Sequence, residues 1–179
     1  LGVIWVDSHG DFNTDKTTVT KRIHGLPLAT LQGLGNERLT AICQNQYIKS
    51  ENIVLFGVSS LDKEEARLIK QQNIKVIYHK DIVNKGLNIC LDEAIDYLND
   101  KAVYLSYDLD SIDPKYCKGV NTPVVVGLDK DEALLVLDTL FTRLDIVGMD
   151  LVEYNPLNDD GNTLALIQSF KTIIKKHKG

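Results

Sequence analysis

The sequence predicts a doubly wound parallel α/β sheet, and three observations carry that prediction. Apolar runs of strand length alternate with amphipathic stretches of helix length along the chain. The strand runs are nearly continuous in hydrophobicity, the pattern of parallel strands covered on both faces. Residues able to do chemistry gather just after those runs, at the sheet edge where open α/β sheets bind ligands.

The elements follow in order. Residues 2–6 form the first buried strand. Residues 12–22, rich in Thr, Lys and Asp and without helical period, read as a loop. Pro27 suits the first turn of a short apolar helix over 28–34. Residues 52–58 are the second strand, and Asp62, three residues before Glu65, caps a helix over 63–72. A short strand over 75–78 precedes a helix that Asn88 caps and that runs to Tyr97, and residues 102–107 form the next strand. Asp129 and Glu132 open a helix whose Leu134, Leu137, Phe141 and Leu144 lie on one stripe. Residues 145–151 are the last strand, and the closing helix ends in Lys175 and Lys176, cations favourable at its C-terminus.

Residues 1–179 are one domain's length, with enough apolar content for a core. The net charge of −5 and the lack of a basic stripe speak against nucleic acid and anionic membrane as partners. No apolar run reaches the length of a spanning helix. Cys43, Cys90 and Cys117 are odd in number and lack metal-site spacing, which points to a reducing compartment, the cytoplasm. The chain opens inside a strand and its one methionine is Met149, so a segment is expected upstream.

Two acidic clusters stand out. Asp7, His9 and Asp11 alternate after the first strand, and on an extended strand end they would share one side. Asp108 and Asp110 do the same after the fourth. Carboxylates and an imidazole brought together suit divalent cations, which neutralise the acids and accept the neutral ring. Two strand ends with paired carboxylates fit a two-metal site with ions about 3.5–4 Å apart, and oxygen ligands with an imidazole favour Mn²⁺. Elsewhere His79 and His177 read as solvated, Glu64 and Glu65 as exposed helix faces, and Cys117 as an ordinary thiol near the second cluster.

With those residues in view the sequence resembles the arginase family of ureohydrolases, most of all its bacterial arginases. The Asp-Ala-His-x-Asp signature stands here as Asp7 to Asp11, and Asp-x-Asp-x-x-Asp-Pro as Asp108 to Pro114. His-Gly-x-Pro is His24 to Pro27, and Glu-x-Asn-Pro is Glu153 to Pro156. The resemblance implies a three-layer α/β/α fold, here without its N-terminal part. It also implies two Mn²⁺ ions, with Asp7 and Asp108 bridging both, Asp11 completing the first set, and His9 with Asp110 the second. A further ligand, a histidine of a Gly-Gly-Asp-His segment, would lie upstream of residue 1.

The implied reaction is hydrolysis of L-arginine to L-ornithine and urea by a metal-bridging hydroxide that Asp11 orients. Glu153 would pair with the guanidinium, whose planar fork matches a carboxylate, and His24 would relay a proton to the departing amine. Asn13 and Thr18 match the family's contacts to the substrate carboxylate and Asp62 its contact to the α-amino group; Thr20 and Thr122 complete the substrate set. The stretch Thr20-Lys21-Arg22-Ile23 departs from the usual Ser-Gly-Asn-x, putting two cations where a carboxylate would dock. Asn121 stands at a usual glycine, and asparagine is a residue type that tolerates the left-handed conformation. The family implies a homo-oligomer, a trimer or hexamer. Alternatives are an agmatinase or formimidoylglutamase type of ureohydrolase, or a non-catalytic remnant or regulatory subunit that keeps the fold.

Overall fold

The computed structural model describes residues 1–178. The elements in chain order are β1 (Gly2–Val6), α1 (Pro27–Leu31), α2 (Glu37–Thr40), β2 (Ile53–Val58), α3 (Lys63–Gln71), β3 (Lys75–Tyr78), α4 (His79–Lys85) and α5 (Leu87–Tyr97). They continue with β4 (Ala102–Asp108), α6 (Lys130–Arg143), β5 (Asp145–Val152) and α7 (Asn162–Lys178). The five strands form one parallel sheet in the order β3-β2-β1-β4-β5.

The apolar runs fold this way because both faces of the sheet are covered. In β1, Ile4 and Val6 point into a large core with Val54, Phe56, Val103, Leu105 and Tyr107, roofed by α4, α5, α6 and α7. Their neighbours Val3 and Trp5 point the other way and meet Ile53, Leu55, Phe12, Leu28 and Ile69, roofed by α1 and α3. The period of two divides β1, β2, β3 and β4 between the two cores, which is why the central strands do not alternate with polar residues. The outer strand β5 is less enclosed, and Val147 is exposed on it.

The sheet order places the site. From β1 the chain winds out through β2 to β3, then crosses back to lay β4 on the other side of β1 and β5 beyond it. The winding therefore reverses between β1 and β4, and the crevice at the carboxyl ends of those neighbours is the binding position of such sheets. Val6 lies opposite Tyr107, so the residues that follow, Asp7 and Asp108, leave the sheet side by side.

Several elements differ from expectation. Helix α1 stops at Leu31 because Gly33 turns left-handed, with φ +78°, and the amide of Leu34 closes back on the carbonyl of Ala29. Helices α2 and α4 are additional; Asn36 caps the first, and the second follows Tyr78 directly. Helix α5 is entered from Gly86, and Asn88 lies inside its first turn rather than capping it. Asp129 and Glu132 form the reciprocal cap expected for α6.

Neither histidine read as solvated is free. Nε2 of His79 lies 3.0 Å from the carbonyl oxygen of Gly127. His177 meets Asp138 at 2.8 Å and stacks on Phe141, because the α7 face that carries it packs on α6. Asn121 does not take the left-handed conformation; its side chain accepts from Asn155 at 2.7 Å, which ties the two loops without a special backbone angle. Among the described residues no helix is long and apolar enough to cross a membrane. None of the three cysteines forms a disulfide, and burial pushes the Cys117 thiol up to about 11, which disfavours the thiolate.

Candidate metal and substrate site

The two acidic clusters are built alike. At the end of β1 the backbone amide of His9 donates to Asp7 Oδ1 at 2.6 Å. At the end of β4 the amide of Asp110 donates to Asp108 Oδ1 at 2.7 Å. Each first aspartate thus folds its own loop into a tight turn, the ordinary use of a short carboxylate two residues ahead of an amide. Ser8 joins the loops, its hydroxyl donating to the Asp110 carbonyl at 3.1 Å.

These turns bring Asp7, His9 and Asp110 together, with potential ligand atoms all within 4.8 Å of one another. His9 Nδ1 lies 3.1 Å from Asp110 Oδ2 and 3.4 Å from Asp7 Oδ1. The other oxygen of Asp7 accepts from the Trp5 indole at 3.0 Å, and Thr122 donates to Asp110 Oδ2 at 2.9 Å. Asp11 and Asp108 stand beside this trio, lining the same cavity as His9 and Asp110. The route differs from the one expected. Asp11 has φ +47°, so the loop is not extended through it, and Asp11 faces the cavity by a left-handed turn rather than by strand alternation.

The electrostatics are those of a cation site. Burial, with Asp110 nearby, raises the Asp7 carboxyl to about 7 despite hydrogen bonds from His9. Burial and then Asp7 and Asp110 push Asp108 up to about 10, and burial with Asp7 holds Asp11 well above the usual carboxylate range. Hydrogen bonds to Asp110 and Asp7 raise His9 to about 11, against the cost of burying its charge. Asp110 Oδ1 is buried and has no hydrogen-bond partner. Four clustered carboxylates, one with an oxygen left over, and an imidazole make a hard-to-borderline donor set that a divalent cation fits.

The cavity above these acids, about 220 Å³, gathers the remaining expected residues. Asn13, Thr18, Thr20 and Asp62 line one part of its wall, and His24, Thr122 and Glu153 also border it. Asp7 lies behind the lining, 1 % exposed. Glu153 follows directly on β5 with φ +65°, and its Oε1 lies 3.7 Å from His24 Nδ1. Asn13 donates to Asp62 Oδ2 at 2.9 Å and accepts from the Thr17 hydroxyl at 2.9 Å. The hydroxyls of Thr18 and Thr20 accept from the amides of Lys21 and Arg22 and so shape their own loop. Of the two cations in that loop only Arg22 lines the cavity; Lys21, at φ +57°, borders a separate hollow with Asp15 and Asn36.

Glu65 departs from the exposed helix face expected of it. It is buried, 5 % exposed, and lines the cavity; its Oε1 accepts from the amide of Phe12 at 2.9 Å, and burial raises its carboxyl. Only half of the reciprocal cap forms: Asp62 accepts from the Glu65 amide, while the Glu65 side chain turns to the β1 loop instead of reciprocating. The signal available was position, since residue 65 lies four before Ile69 on the face of α3 that packs on the sheet.

The arginase family model matches residues 1–172. The chain belongs to the arginase family. It is 40 % identical over 170 residues to the arginase of Bacillus caldovelox, covering 93 % of this chain and 57 % of that one. Against the arginase of Bacillus subtilis strain 168 the figures are 41 % over 164 residues, 90 % and 55 %. The structure of the B. caldovelox arginase superposes with a TM-score of 0.93 at 37 % identity, over 97 % of this chain and 59 % of that one. An Entamoeba histolytica arginase solved with L-ornithine gives 0.92 at 30 % identity, over 97 % and 59 %. This arginase-family chain thus spans a little over half the length of these relatives.

Proposed function

We propose that the chain hydrolyses a guanidino substrate, L-arginine to L-ornithine and urea, with two Mn²⁺ ions held by Asp7, His9, Asp11, Asp108 and Asp110. The observation that carries this reading is the single cavity in which the acid cluster faces Glu153 and His24. When bound, the metal pair supplies Lewis acidity and lowers the pKa of water enough to make a nucleophile at neutral pH.

The chain's own residues account for the rest. Glu153 offers a half-buried carboxylate to the guanidinium, a pairing that holds the planar group by two parallel N–H···O bonds. His24, more open to solvent and beside Glu153, is placed to pass a proton to the departing amine. Asp11 faces the cavity from a left-handed turn and can accept a proton or orient a water there. Asp62 and Asn13, already joined, present an acid to an α-amino group and an amide beside it, and Arg22 offers a cation to an α-carboxylate. These last features favour an amino acid over a bare diamine precursor. The family resemblance supports a homotrimer or hexamer, and the unpaired cysteines support a cytoplasmic setting.

The test is urea release after incubation with Mn²⁺, with arginine and agmatine run in parallel. Because the chain spans part of its relatives' length, the assay is repeated with the chain joined to the part of the B. caldovelox arginase that it does not cover. Urea from arginine alone supports the proposal, and urea from agmatine alone moves the substrate. Silence from both forms with both substrates overturns it in favour of a non-catalytic member of the family.

A further inference from the structure

Asp11 takes a left-handed backbone conformation, φ +47°, uncommon outside glycine although aspartate tolerates it, and its neighbours are anchored so as to fix it there. The restraint comes from three sides. Phe12, next in sequence, is completely buried against Leu28 and Ala29. The carbonyl of Asp11 accepts from the amide of Leu28 at 3.0 Å. The amide of Phe12 donates to Glu65 Oε1 at 2.9 Å, a bond that spans 53 positions of sequence. Gly10, on the other side of Asp11, lies so close to α3 that an added Cβ would stand 2.9 Å from the same Glu65 oxygen. Glu65 is itself fixed at its backbone, where its amide donates to Asp62.

We propose that Glu65 is a positioning residue for metal binding: as acceptor for the Phe12 amide, it locks the left-handed turn at Asp11 and thereby aims the Asp11 carboxylate into the cavity. This rests on the reading of Asp11 as a metal-facing residue. The competing role for a buried acid at this place is simple charge, drawing a cation by its field.

Two conservative substitutions separate the roles. Glu65→Gln removes the charge and keeps an acceptor at the same reach. Glu65→Asp keeps the charge and draws the acceptor back by one methylene. Mn²⁺ affinity is measured by calorimetry, and protection of the Phe12 amide by hydrogen exchange on EDTA-treated protein, with circular dichroism to show that each variant is folded. Glu65→Gln is expected to retain Phe12 protection and to bind Mn²⁺ within about threefold of the parent, whereas Glu65→Asp loses protection and at least about tenfold in affinity, the usual scale for residues that orient a ligand. The reverse pattern, with Asp tolerated and Gln not, overturns positioning in favour of charge. Unchanged Phe12 protection in both variants overturns it outright. If the parent protein binds no Mn²⁺, the metal reading fails, while the exchange data still decide whether Glu65 fixes the turn.

Discussion

Chelated protein moved from pH 5 to pH 8 is expected to lose stability, and the Asp7 environment sets the scale. Burial pushes the folded Asp7 carboxyl up from its ordinary 3.8 to about 7. Between those values the folded chain keeps a proton that the unfolded chain has released. Since stability falls with pH wherever the folded state binds more protons, the contribution is intact below about 4 and is lost as pH rises through 7. At about 1.4 kcal/mol per pH unit, Asp7 alone costs about 3 kcal/mol between pH 5 and pH 8. Asp11, Asp108 and His9, all raised, act in the same direction. Against a typical total of roughly 5–15 kcal/mol that loss is large, and for a chain of this length it corresponds to a melting point lower by roughly 6–12 °C. The assay is thermal unfolding in EDTA at four pH values, repeated with Mn²⁺ in excess and with Asp7→Asn. Mn²⁺ is expected to cancel the decline, because a cation favours the ionised acids and the neutral imidazole. Asp7→Asn should make the decline in EDTA shallower. A melting point in EDTA that stays level or climbs from pH 5 to pH 8 would refute the reasoning.

Other expectations are narrower. Gly10→Ala brings a methyl group to 2.8–2.9 Å from Leu61, Glu65 and Ile69 and should cost about 1–3 kcal/mol in denaturant unfolding. Tyr107→Phe removes the hydroxyl that donates to the Ala133 carbonyl at 3.1 Å inside the core, for a loss of about 1 kcal/mol with the fold kept. If the proposed activity is found, Arg22→Ala should raise KM for arginine about tenfold or more, the value of a charge-assisted contact, and leave agmatine, which has no carboxylate, nearly unchanged.

The strands and the edge that carries the site were legible because their causes are local. A parallel strand buried on both faces has to be apolar at successive positions, and Gly2–Val6, Ile53–Val58 and the middle of Ala102–Asp108 are. Asp7, His9, Asp108 and Asp110 were legible because each follows such a run. What escaped depends on contacts far apart in sequence. Glu65 looks like any acid in the first turn of a helix until Phe12 is packed beneath it. His177 looks like a tail residue until α7 lies on α6 and meets Asp138. The left-handed turn at Asp11 has only a weak marker in residue type, since aspartate tolerates that conformation without requiring it, and the anchoring of the flanking residues is long-range. Helix α4 was missed because it follows β3 without a break, so the usual punctuation of a turn is lacking.

The bond between Trp5 and Asp7 gives the molecule a built-in optical probe. The chain has one tryptophan, so all indole emission comes from Trp5, 7 % exposed and with its N–H on Asp7 Oδ2. Indole emission responds to charge at the ring nitrogen. Protonation of Asp7, or withdrawal of its electron density by a cation, should therefore shift the colour or intensity of the emitted light. Occupancy at the end of β1 can then be followed in real time, without a label and without turnover.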